Sequence, residues 1–171
     1  MTLSPKLGLW LTTLLWVCVV GWLWGTHQYQ VMHGREIVLK TVPVDPRDLF
    51  RGDYVVLRYE ISTLNLSRLG QSQRVFIKNT SVFVSLSKTN GYWQATKLDT
   101  EPPQQDVFLR GRVTRSSKQI VEVEYGIESY FVPEGQGREI EKKYAQGNLA
   151  VVVSVSPHGR GLLKGLRFLQ E

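Results

Sequence analysis

Hydrophobic side chains alternate with polar ones at period two through much of this chain, and that pattern restricts the fold more than any composition figure. Val55, Leu57, Tyr59 and Ile61 fall on one face, with Val56, Arg58 and Glu60 on the other. Val82, Val84 and Leu86 oppose Ser85 and Ser87, and Val121, Val123 and Tyr125 oppose Glu122 and Glu124. Leu149, Val151, Val153 and Val155 oppose Ala150, Ser154 and Ser156. Each run predicts a half-buried strand, since successive strand side chains point to opposite faces. Asn90-Gly91 between two runs predicts a tight hairpin, because both central residues of a type I′ turn need positive φ. Further strands are expected over Arg35–Val42, Asp106–Thr114 and Gly161–Phe168. Two short segments interrupt the strands: a turn or helix is expected at Ser62–Leu69 and a helix at Arg138–Gln146. In the second, Ile140 and Tyr144 pair at i,i+4 and Gly147 supplies the stop. The fold class is therefore mainly β: a single β-sandwich or partly open β-barrel domain of seven to nine strands with one or two short helices.

A different signal precedes it. Leu7 to Trp24 contains no charge over 18 positions and is dominated by Leu, Val and Trp, at the short end of what spans a bilayer core. Trp22 and Trp24 suit a membrane interface. An N-terminal transmembrane helix is expected, with residues 1–26 as tail and anchor and residues 27–171 as the outer β domain. Lys6 is the only charged side chain before the run, so the tail should stay inside and the rest face out. Signal-peptide cleavage wants small residues at the last and third-last positions. Val19 and Gly21 are the best offer, beside Trp22 and Trp24, so an uncleaved anchor is expected. Cys18 lies within the run and is the only cysteine, which leaves the outer domain without disulfide or thiolate chemistry. Of 21 basic residues, 20 follow Thr26 against 15 acidic ones, a net of +5 that suits a mixed solvated surface.

The segment Gly52-Asp53-Tyr54-Val55-Val56-Leu57-Arg58-Tyr59 spells GDYxxLxY, and Tyr130-Phe131-Val132-Pro133-Glu134-Gly135 forms a second block. On both, the chain resembles the bacterial family of membrane-anchored GDYxxLxY-domain proteins. The resemblance covers most of the outer domain and implies a polytopic membrane-protein partner. It brings no reaction with it. On the residues themselves the signature reads as structural. Gly52 allows a tight entry to the strand, Asp53 suits an Asx-type turn, and Leu57, Tyr59 and Ile61 share one face and read as core.

Asp45, Arg47, Asp48, Arg51 and Asp53 crowd nine positions. They serve as turn caps and surface ion pairs, or as a carboxylate–guanidinium cluster at a site edge. The interleaved arginines oppose a cation site, and calcium would want more converging oxygens. Glu128 and Glu134 flank an apolar strand and are the candidate carboxylate pair for acid–base work. His27, His33 and His158 lack ligand spacing. No nucleophile elbow, zincin or kinase motif occurs. Set in the register of a type I signal peptidase, the chain offers Val44 where the serine nucleophile should stand. No catalytic residue, metal, cofactor or nucleic-acid partner is expected. The sequence points to a non-enzymatic anchored extracytoplasmic domain that binds or stabilises a membrane protein. Its place would be an inner or internal bacterial membrane, N-terminus cytoplasmic, domain periplasmic or lumenal. The alternatives are an envelope enzyme using the Asp48/Asp53 or Glu128/Glu134 carboxylates, and a binder of anionic lipid or glycan.

Overall fold

The computed structural model describes residues 5–43, 54–131, 140, 144 and 146–168, except the side chains of residues 5, 7, 8, 24, 26–33 and 54. Asp45, Arg47, Asp48, Arg51, Gly52, Asp53 and Glu134 lie outside it, as does the side chain of Tyr54. The chain divides into two compact units, Met1–Gly34 and Arg35–Glu171.

The first unit is built on one helix, α1 (Pro5–His33), 29 residues long. Its described side chains are exposed, and from Leu9 to Leu23 they are mostly Leu, Val and Trp. Among the described residues no helix is long and apolar enough to cross a membrane. The continuous described run of side chains, 9–23, is 15 residues.

The second unit holds ten strands among the described residues, all antiparallel: β1 (Arg35–Lys40), β2 (Tyr54–Val56), β3 (Thr63–Asn65), β4 (Ser81–Thr89), β5 (Tyr92–Asp99), β6 (Val107–Ser116), β7 (Ile120–Glu124), β8 (Ser129–Phe131), β9 (Leu149–Val155) and β10 (Gly161–Phe168). They form sheets in the orders β1-β9-β10, β2-β8 and β3-β7-β6-β4-β5. The mainly-β expectation holds, with ten strands where seven to nine were expected. The five-stranded sheet is barrel-like and nearly closed. Its edge β5 packs along β1, where Arg35 lies 5.2 Å from the Trp93 ring centre and Lys40 lies 4.9 Å from that of Tyr92. Cation–π contact links the two edges there in place of a backbone ladder.

One hydrophobic core runs through all three sheets. β9 lies between β1 and β10, and Ala150 and Ser154 are as buried as Leu149, Val151 and Val153. The half-buried expectation therefore fails for β9, which is covered on both faces. The Asn90-Gly91 hairpin forms as expected, with φ of 51° and 86° and Thr89 paired to Tyr92. Gly111 is fixed by packing instead: a Cβ there would lie 2.3 Å from Val123 Cγ1 and 2.9 Å from the Glu124 carbonyl oxygen. Only a residue without a side chain lets β7 approach this closely.

Of the turn or helix expected at Ser62–Leu69, the turn forms, after a short strand. Residues Glu60–Ser62 form one 3₁₀ turn, Thr63–Asn65 is β3, and hydrogen-bonded turns follow. Leu64 and Leu66 are both buried, a period of two. The Asn65 side-chain oxygen accepts from the amides of Ser67 at 2.9 Å and Arg68 at 3.3 Å, so it supports a turn where a helix would need those amides turned elsewhere. Of the second expected helix, Ile140 and Tyr144 are described. Both are helical and buried, and Gly147 at φ 72° donates to the Tyr144 carbonyl at 2.9 Å.

Candidate functional site

The second half of the signature sits at the junction of all these elements. Val55, Leu57, Tyr59 and Ile61 are buried and Arg58 and Glu60 exposed, as the alternation requires. The hydrogen-bonded strand is nevertheless only three residues long. Beyond Val56 the segment is held by single bonds to several neighbours. The Leu57 amide donates to the Glu128 carbonyl at 2.6 Å, Thr41 bridges Tyr59, and the Val42 amide donates to the Arg58 carbonyl at 2.8 Å.

Three tyrosine hydroxyls complete this junction. Tyr59 donates to the Ile127 carbonyl at 2.5 Å and Tyr125 to the Ile61 carbonyl at 2.6 Å. Tyr144 donates to the Val42 carbonyl at 2.7 Å and accepts from the Arg58 amide at 3.1 Å. Val42 and Arg58 thus share one direct backbone bond and one relayed through a hydroxyl. Burial pushes all three phenols above their ordinary range, so each stays a neutral donor.

Beside the junction opens a shallow pocket of about 320 Å³. Arg58, Ser62, Thr114, Glu122, Glu124 and Glu128 supply its polar lining. Arg58 approaches Glu122 at 3.8 Å, and Arg115 reaches the same carboxylate at 3.7 Å. Glu128 Oε1 accepts from the Tyr125 amide at 2.6 Å, across a turn in which Gly126 has φ 78°. Burial raises the Glu128 carboxyl above its ordinary value and the charge of Glu124 adds to this, while backbone N–H donors of the turn pull it back. Chemically the pocket offers one carboxyl biased toward its protonated form among acceptors already engaged. Among the described residues no three His, Cys, Asp or Glu groups are placed to hold a metal ion.

The sequence candidates divide accordingly. Leu57 and Tyr59 are core, and Glu128 lines the pocket. The Asp45–Asp53 cluster and Glu134 fall outside the described residues, so the Glu128–Glu134 pair has no geometry. The carboxylates that do share a pocket with Glu128 are Glu122 and Glu124. Their signal was the outward register of β7, which marks them as surface positions without naming the segment opposite.

Fold and site together define a small antiparallel β domain, stitched through a tyrosine-rich signature and preceded by an apolar helix. The chain matches the GDYXXLXY protein family over residues 16–166, and it belongs to that family. Comparison with curated proteins and with solved structures gives no match.

Proposed function

We propose that the chain is a non-enzymatic, single-pass membrane-anchored domain that binds or stabilises an integral membrane-protein partner. Its N-terminus lies in the bacterial cytoplasm and its β domain on the far side, periplasmic or lumenal. The observation that carries this reading is the surface of α1. Leu14, Leu15, Trp16 and Val17 are consecutive, make a full turn, and are all exposed. A helix apolar all round is suited to apolar surroundings on every side. The Thr12 and Thr13 hydroxyls donate to the Leu9 carbonyl, each at 2.9 Å, so they ask nothing of a hydrocarbon environment. The sequence extends the described apolar run by three positions, Leu7, Gly8 and Trp24, to 18 uncharged residues. The partner reading draws on the signature. Its motif-defining side chains Leu57 and Tyr59 are spent on the core, so they serve the fold and leave the surface for recognition.

Two measurements test this. The full chain in its native membrane should resist alkaline carbonate and dissolve with detergent, and release by carbonate alone would remove the anchor. Crosslinking in those membranes should then join the β domain to a specific integral membrane protein. If only soluble proteins or none are recovered across crosslinker lengths, the partner reading fails. The raised Glu128 carboxyl beside Glu124 favours one second reading, acid–base chemistry on an envelope substrate. In that case Glu128→Gln would abolish function in a protein that still folds.

A further inference from the structure

The loop between β3 and β4 carries a surface that neither α1 nor the carboxylate pocket uses. It is firmly tied. The Gln71 side chain donates to the Leu98 carbonyl and accepts from the Leu98 amide, both at 2.9 Å. The Asn79 amide donates to the Val113 carbonyl at 2.7 Å, and the Val113 amide to the Thr80 carbonyl at 3.0 Å. Between these ties Phe76 is 5% exposed and part of the core, while Val75 and Ile77 on either side are 88% and 74% exposed. A tied loop thus holds two branched aliphatic side chains in water, where such groups are least favourable.

The surroundings are cationic. Arg74 and Lys78 flank the pair, and Arg115 and Lys118 line the same depression of about 810 Å³, with Glu122 its one acidic lining residue. Arg74 is paired with Asp99, and Arg115 with Glu122. Among the described residues no carboxylate pairs with Lys78 or Lys118. Aliphatic tips beside two lysine ammonium groups complement a bilayer rich in anionic headgroups: the tips enter the acyl boundary and the lysines meet phosphate. A protein partner matches less well. Interface cores favour aromatic side chains and exclude lysine, and the exposed apolar residues here are Val and Ile.

We infer that Val75 and Ile77, with Lys78 and Lys118, form a docking site for an anionic phospholipid surface. The site belongs to the β unit and is independent of the anchor and of any protein partner. The test uses the full chain in nanodiscs of neutral phosphatidylcholine. Loading of the discs reports on the anchor, and only the second step reports on the loop. In that step, sedimenting vesicles of phosphatidylcholine, with or without phosphatidylglycerol, are added. Capture by the anionic vesicles should exceed capture by neutral ones roughly tenfold or more. Lys78→Glu/Lys118→Glu should bring it to the neutral level, and Val75→Ser/Ile77→Ser should weaken it without changing the melting temperature. Equal capture by both vesicle types overturns the inference. So does an anionic preference that survives both double substitutions, which would place the attraction elsewhere on the chain. A photocrosslinker at position 75 that joins to protein instead of lipid in native membranes overturns it as well.

Discussion

At the scale of single residues, the signature works through two kinds of atom. The Leu57 side chain fills the core, and the Tyr59 hydroxyl reaches through it to the Ile127 carbonyl. Leu57→Ala removes packed volume and should cost about 2–5 kcal/mol. Tyr59→Phe keeps the ring and strands a buried acceptor, which should cost about 1–3 kcal/mol. Urea denaturation of both variants checks the order. A Tyr59→Phe protein as stable as the parent would mean the hydroxyl is not a tie. Glu128 gives a prediction of a different kind. Its folded carboxyl titrates above the ordinary value of 4.5, so the folded chain retains a proton that the unfolded chain has released. Its contribution to stability therefore falls as pH rises through the window above 4.5, and the penalty is absent below it. Glu128→Gln keeps an acceptor for the Tyr125 amide and cannot ionise. Melting curves should show the variant with a flatter pH profile and a higher melting temperature than the parent at neutral pH. A parent that grows more stable from pH 5 upward relative to Glu128→Gln would reverse the assignment.

At the scale of elements, periodicity was legible wherever one face is buried and one is wet. The faces of Val55–Ile61, the β7 register and the Asn90-Gly91 hairpin could all be read directly. The failures have identifiable causes. β9 is covered on both sides, so its small residues Ala150 and Ser154 read as outward when they are packed inward. The sequence leaves Ser62–Leu69 open between a turn and a helix, and Asn65 decides it by capturing the backbone amides while β7 recruits Leu64. Both outcomes depend on partners distant in sequence. The same holds for the pocket: Glu128 was recognisable, whereas Glu122 and Glu124 join it only because β7 lies where it does. Tyr144 is the clearest long-range case. It was read as a helix-face apolar residue, and its hydroxyl completes the backbone pairing of Val42 with Arg58. Tyr144→Phe leaves one donor and one acceptor without their partner. It should destabilise the domain by about 1–3 kcal/mol and speed amide exchange at Arg58 ahead of the β9 amides. Equal exchange at both places would deny the relay.

At the scale of the whole molecule, one unit carries an exposed, mostly apolar helix and the other builds a single hydrophobic core. The β unit gathers its buried hydrophobic side chains into a single main cluster and, among the described residues, leaves no buried side-chain polar atom without a partner. It therefore needs no disulfide, consistent with Cys18 being the sole cysteine and lying on α1. The helix buries almost nothing of its own: its Leu, Val and Trp side chains are exposed along the described length. On the reading proposed above a bilayer covers that surface, and charge decides the direction of insertion. Lys6 stands before the uncharged run, and positive flanks are retained on the cytoplasmic side. An alkaline phosphatase reporter joined after Glu171 should therefore be active, and a fluorescent protein that folds only in the cytoplasm should stay dark there. Lys6→Glu should lower the phosphatase signal, because it removes the only side chain that orients the helix from its N-terminal side. A dark phosphatase with a bright cytoplasmic reporter would place the β domain inside the cell and end the anchored extracytoplasmic reading. An active phosphatase unaffected by Lys6→Glu would leave the topology standing and move its cause to residues after the helix.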